Sequence, residues 1–127
     1  MPFITPTPHL PWTAFAINAQ NAVFAAGNNV YNQHMPACII SAVRASVVVA
    51  SGAGALQFDI NSGGVSILST KLTIDAVETT SVTAAIPAVI IPAFQIQADD
   101  WIVSFDIDNA GNGAAKGAVI MILLQWL

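Results

Sequence analysis

The chain has 127 residues, 55% of them apolar, and only ten charged side chains, three basic and seven acidic. That length suits one domain. A net charge of −4 with three basic groups excludes a protein that neutralises many phosphates, and so argues against nucleic-acid binding.

Residues 1–12 read Met-Pro-Phe-Ile-Thr-Pro-Thr-Pro-His-Leu-Pro-Trp, with prolines at positions 2, 6, 8 and 11. Proline forbids a helix here and favours extended, polyproline-like backbone. A solvated linker would have no use for Phe3, Ile4, Leu10 and Trp12. The segment therefore reads as an extended N-terminal arm. It either docks on a neighbour or folds back over its own domain.

From residue 13 onward β signals dominate: Val, Ile and Thr in short runs, punctuated by Gly, Asn and Pro. Strands are predicted at Trp12–Asn18 and Gln20–Ala26, with a turn at Gly27-Asn28-Asn29. Cys38–Ala50 is the longest candidate, with Val43, Ala45, Val47 and Val49 on one face and Arg44 and Ser46 on the other. Cys38 stands in an apolar run and reads as a buried small hydrophobe. Being the only cysteine, it excludes an internal disulfide.

After a turn at residues 51–54, Leu56, Phe58 and Ile60 alternate with Gln57 and Asp59. Asn61–Gly64 is a further turn, and Val65–Asp75 reads as one strand. Thr79–Ala85 is Thr-rich and edge-like, while Pro87 and Pro92 make Ile86–Gln97 a loop or edge. The same prolines interrupt the longest apolar window, Thr79–Ala98, and a spanning helix needs about 20 unbroken apolar residues. No membrane span is expected. Trp101, Val103, Phe105 and Ile107 point inward from the next strand, and Asn109–Ala115 is a hairpin turn. Lys116–Trp126 closes the domain with apolar residues on both faces, Val119, Met121 and Leu123 against Ile120, Ile122 and Leu124. Such a strand is buried on both sides. Seven to nine short strands of this kind predict an all-β fold, an antiparallel β-sandwich or jelly roll over residues 13–127.

Reactive side chains are sparse. Asp106-Ile107-Asp108-Asn109-Ala110-Gly111-Asn112 has the alternating oxygens of a calcium loop. However, Ala110 stands at the third ligand position and Gly117 where the bidentate Glu belongs. A strand end and turn explains the same residues. Asp99 and Asp100 are adjacent, whereas a catalytic carboxylate pair must converge from different elements. His9 and His34 lack any metal-ligand spacing and read as loop or interface residues. No Gly-x-Ser-x-Gly elbow and no Gly-Lys-Ser/Thr phosphate loop occurs. The chain is read as no enzyme, with no cofactor. No basic region followed by an apolar stretch follows Met1, so assembly in a cytosol is expected.

Several segments, taken together, carry a resemblance: Ile67–Asp75, Glu78–Ser81, Thr83–Ala85, Pro87–Ile90, Ala98–Asp100, Asp106–Asp108 and Gly113–Gly117. Their order and spacing resemble a small β-domain of tailed-bacteriophage virion proteins, including tail-fibre-associated and short capsid-associated proteins. The resemblance spans roughly residues 43–124 and implies a structural β-sandwich without enzymatic activity; it brings no catalytic residue. In that pattern a glycine often stands where this chain has Val77, and the final strand is followed by more polar residues than Leu-Leu-Gln-Trp-Leu.

The first charged residue is Arg44, and a soluble domain normally has about a quarter of its residues charged. So bare a surface suits a chain that associates. The resulting expectation is a capsid decoration (cement) protein, a homotrimer bound to the major capsid protein or other virion proteins. The alternative is a tail fibre, spike or baseplate module that binds a host glycan through aromatics and the loop Asn28–Gln33. Partner contacts are expected at Phe3, Ile4, Leu10, Trp12, Trp126 and Leu127, with Arg44 and Lys71 fixing register by charge pairing.

Overall fold

A computed structural model describes residues 12–127, the side chains of residues 28–31 excepted. The proposed arm lies outside the described residues apart from Trp12. Among the described residues there is no α-helix. Eleven strands run in chain order: β1 (Trp12–Ala16), β2 (Gly27–Met35), β3 (Cys38–Ser46), β4 (Leu56–Ser62), β5 (Val65–Ser66), β6 (Leu68–Thr70), β7 (Leu72–Ile74), β8 (Val89–Ile90), β9 (Ile96–Gln97), β10 (Trp101–Ala110) and β11 (Val119–Trp126). Short 3-10 turns cover Ser81–Thr83 and Pro92–Phe94.

The strands form two antiparallel sheets that pack face to face as a β-sandwich. One has the order β1-β11-β3-β9, the other β2-β10-β4-β5 with β7 also on β4; β6 and β8 pair separately. The alternation seen in the sequence builds the layer between them. Leu56, Phe58, Ile60, Leu72, Ile74, Val103 and Phe105 from one sheet meet Phe15, Ile40, Ile120, Ile122 and Leu124 from the other, all buried. Phe15 and Phe105 cross the gap with ring centroids 5.0 Å apart. Each such side chain contributes about 1.5–3 kcal/mol of burial, so this layer is the main source of stability.

Several expectations change: the strand expected over Cys38–Ala50 stops at Ser46, and Thr79–Ala85 holds a 3-10 turn at Ser81–Thr83 instead of an edge strand. Gln20–Ala26 is a turn and loop, not a strand. Asn18 folds it: its Nδ2 donates to Ala22 O at 2.6 Å, and its Oδ1 accepts from Ala118 N at 2.8 Å. Phe24 is left to tuck against Phe58 at 5.9 Å. Gly27-Asn28-Asn29 opens β2 instead of turning. Pairing with β10, from Trp101–Met35 to Ile107–Gly27, overrides the local turn preference of that sequence. Val65–Asp75 breaks into three short strands because Ser66 Oγ accepts from Leu68 N (3.2 Å) and donates to Asp59 Oδ1 (2.6 Å). That bends the chain away from β4.

Candidate functional site

The two outer faces of the sandwich differ in chemistry. The outer face of the β10–β4 sheet is polar. Asp59, Asn61, Ser104, Asp106 and Asp108 alternate with the buried apolar residues of their strands. Lys71 Nζ reaches across to Asp59 Oδ2 at 2.6 Å and Asp108 Oδ2 at 3.2 Å. Asp59 Oδ1 accepts from Ile60 N at 2.9 Å, and Asn61 Nδ2 donates to Asp106 Oδ2 at 2.9 Å. Burial alone would lower the Lys71 pKa, but the hydrogen bonds and charges of Asp59 and Asp108 outweigh it and hold the ammonium above its ordinary range. A charge expected to meet a partner is thus engaged within its own domain.

The outer face of the β1–β11–β3 sheet is apolar. Register places three rungs across it: Trp12–Leu123–Ala42, Ala14–Met121–Arg44 and Ala16–Val119–Ser46. Val119, Met121 and Leu123 are half-buried while Ala14 and Ala16 are exposed. An antiparallel sheet with one face on the core normally presents polar residues on the other. Here the only charge is Arg44, whose guanidinium lies 4.5 Å from the Trp12 ring centroid, reaching diagonally over the central strand. Such a stack is worth about 0.5–1 kcal/mol at an exposed site. Two residues read from sequence as partner contacts, Trp12 and Arg44, are therefore brought together on one face. Trp126 and Leu127 are exposed at its end, where Leu127 N donates to Ala37 O at 3.1 Å. Phe3, Ile4 and Leu10 lie outside the described residues.

A second apolar region escaped the sequence reading. Val77, Val82, Ile86, Val89 and Ile96 are all exposed in the segment that follows β7. Val82, Pro87 and Val89 line a groove of about 490 Å³ against residues 41–44 of β3. Along β3 the backbone N–H groups facing this side are taken at Ile40 by Gln95 O (2.7 Å) and at Ala45 by Ser81 Oγ (2.9 Å). These residues carry no periodicity, since they fall in turns and in two-residue strands around two prolines. Val82, Val89 and Ile96 become a surface through their placement beside β3, whereas Ile86 lines a separate pocket with Gln57, Lys71 and Thr73.

The remaining candidates resolve into local structure. Asp106 and Asp108 belong to the polar sheet face. Beyond them Asn109 Oδ1 accepts from Gly111 N (2.9 Å) and Asn112 Oδ1 from Ala114 N (3.1 Å), as in Asx turns. No group of three or more His, Cys, Asp or Glu that could hold a metal occurs among the described residues. His34 stands on strand β2, not in a loop, with Nδ1 2.7 Å from Asp100 Oδ1 in an exposed pair. Asp99 and Asp100 form the turn before β10. Cys38 is buried, and burial pushes its thiol pKa up, only partly offset by the Trp101 indole. No helix among the described residues is long and apolar enough to cross a membrane. Comparison with protein families, with curated proteins and with solved structures finds no match to this chain.

Proposed function

We propose that the chain is a structural virion protein of a tailed phage, a capsid decoration protein that acts mechanically and without catalysis. The observation that supports this reading is the apolar outer face of the β1–β11–β3 sheet, in a chain with ten charges in 127 residues. A rigid sandwich with such a face gains stability by covering it. At about 25 cal/mol per Å² of apolar area, a few hundred Å² per copy is worth several kcal/mol, and many copies on one shell multiply that gain. The exposed apolar residues beside β3 and the pair Trp126–Leu127 provide further contact area on the same body. The resemblance of residues 43–124 to virion β-domains points the same way.

Quantitative mass analysis of intact particles tests the proposal. Copies on the order of hundreds per particle support decoration of the shell. A few to a few dozen copies would move the protein to the tail. Absence from purified particles would overturn the virion reading.

A further inference from the structure

We infer that the open edge of β3 at Val43 is a strand-addition site, and that its occupant is a short, extended, uncharged segment of the shell protein with an apolar residue opposite Val43. The inference deepens the proposed function and rests on its reading of the chain as a decoration protein.

The backbone defines the site. On one side β3 pairs with β11, with Val43 opposite Ile122 and Ala45 opposite Ile120. Ala45 N–H points away from β11, since it donates to Ser81 Oγ at 2.9 Å, and Val47 N–H donates on the same side to Thr79 O at 3.0 Å. Alternation along an antiparallel strand turns the N–H and C=O of Val43 to that side as well. Further along, Ile40 N–H donates to Gln95 O at 2.7 Å, and Cys38 and Ile39 pair with β9. Between these two closures the covering chain leaves β3, because Val89 and Ile90 form β8 and pair with β6. Among the described residues no group bonds the N–H or C=O of Val43 on this side. An unpaired stretch of edge is a template for a further strand.

The slot also has walls. Leu72, Val82, Pro87, Val89 and Ile90 line the groove of about 490 Å³ that runs along residues 41–44. That length of edge takes about four residues of extended chain. Residues directly opposite each other in antiparallel strands point to the same face, and Val43 packs against the core. The incoming residue opposite Val43 therefore points into the groove, toward its apolar walls. Its two neighbours lie on the outer face, beside Ala42 and Arg44.

That placement selects the occupant. The added strand widens the apolar outer face of the β1–β11–β3 sheet, so it is continuous with the surface proposed to meet the shell. The groove lining holds no acidic residue, and its one basic residue, Arg44, turns its guanidinium back over β11 to lie 4.5 Å from the Trp12 ring centroid. A charged segment would lose water in the groove and find no counter-charge, whereas an uncharged one fits.

The test uses the full chain. In the isolated protein the Val43 amide should exchange with solvent at least tenfold faster than those of Ile40 and Ala45, read by NMR. In copies bound to purified heads assembled without the protein, exchange at Val43 should slow at least tenfold, read after quenching on fragments that cover residues 41–44. Val82→Arg on the groove wall should weaken head binding at least tenfold, while Val65→Arg, also at an exposed valine but on β5 of the other sheet, should not. Equal effects of the two substitutions would overturn the inference. Slow exchange at Val43 in the isolated protein would show the edge closed by this chain or by a second copy, and would overturn it too. Head binding with Val43 still fast removes strand addition and leaves decoration standing. A chain that does not bind heads removes the decoration reading and this inference with it.

Discussion

Asp106 on β10 lies directly across from Asp59 on β4, two carboxylates paired in register on one sheet face. Like charges so placed repel, and the Asp59 side chain is only 7% exposed. Lys71 makes the arrangement tolerable by bonding Asp59 and Asp108 together. Lys71→Met should therefore destabilise the domain by roughly 1–3 kcal/mol, since it strands a buried carboxylate; the partial exposure of Lys71 keeps the loss below that of a fully buried pair. Denaturant unfolding at neutral pH measures it, and a loss under 0.5 kcal/mol (about the scale of a surface substitution) would refute the role.

The same lysine predicts a pH dependence. Its folded pKa is raised above the ordinary value of 10.5. A raised pKa gives stability that is fully present below the unfolded value and is lost as pH climbs through the folded one. Melting temperature should fall more steeply above about pH 10.5 in the native protein than in Lys71→Met.

Val77 adopts φ +63°, and its N–H donates to Ser51 O at 2.8 Å. A β-branched residue in left-handed backbone is strained by about 1–3 kcal/mol. Its side chain is 74% exposed and gives little packing in return. Val77→Gly should raise stability by about 1 kcal/mol after the entropy cost of glycine, read as a higher melting temperature.

Gly117 carries the opposite expectation. It sits at φ +69°, and a Cβ there would lie 2.8 Å from Gln20 O and 2.8 Å from Val48 Cγ2. Gly117→Ala should cost about 2 kcal/mol or more through both strain and the backbone clash. Gly63→Ala, where a Cβ meets nothing within 4 Å, is the control that isolates the strain alone.

Cys38 should be inert to thiol reagents in the folded protein, because it is buried and its pKa is raised. Its reaction rate with a maleimide at pH 7 should rise at least a hundredfold on unfolding. Fast labelling of the native chain would contradict the packing around Trp101.

Much of the core was legible because strand alternation is a local property. Leu56, Phe58, Ile60, Trp101, Val103, Phe105 and Ile107 are all buried, as their period of two requires. The double-sided apolar pattern of β11 was equally plain, and it led to the sheet face treated above. Asn18 could not be read, since it acts by joining Ala22 to Ala118, a hundred residues away. Nor could Lys71, which lies between β6 and β7 and whose partners Asp59 and Asp108 come from β4 and β10. The exposed residues from Val77 to Ile96 gave no signal because turns and two-residue strands are too short to show a period.

The position of β11 between β1 and β3 has a consequence for synthesis. Neither neighbour has its central partner until residues 119–126 have left the ribosome. The four-stranded sheet thus assembles only after nearly the whole described chain has emerged, through pairings distant in sequence. Such topologies fold slowly, and their unpaired strands invite association with other chains in the interval. For this protein the moment of greatest exposure falls before residues 119–126 are in place between β1 and β3.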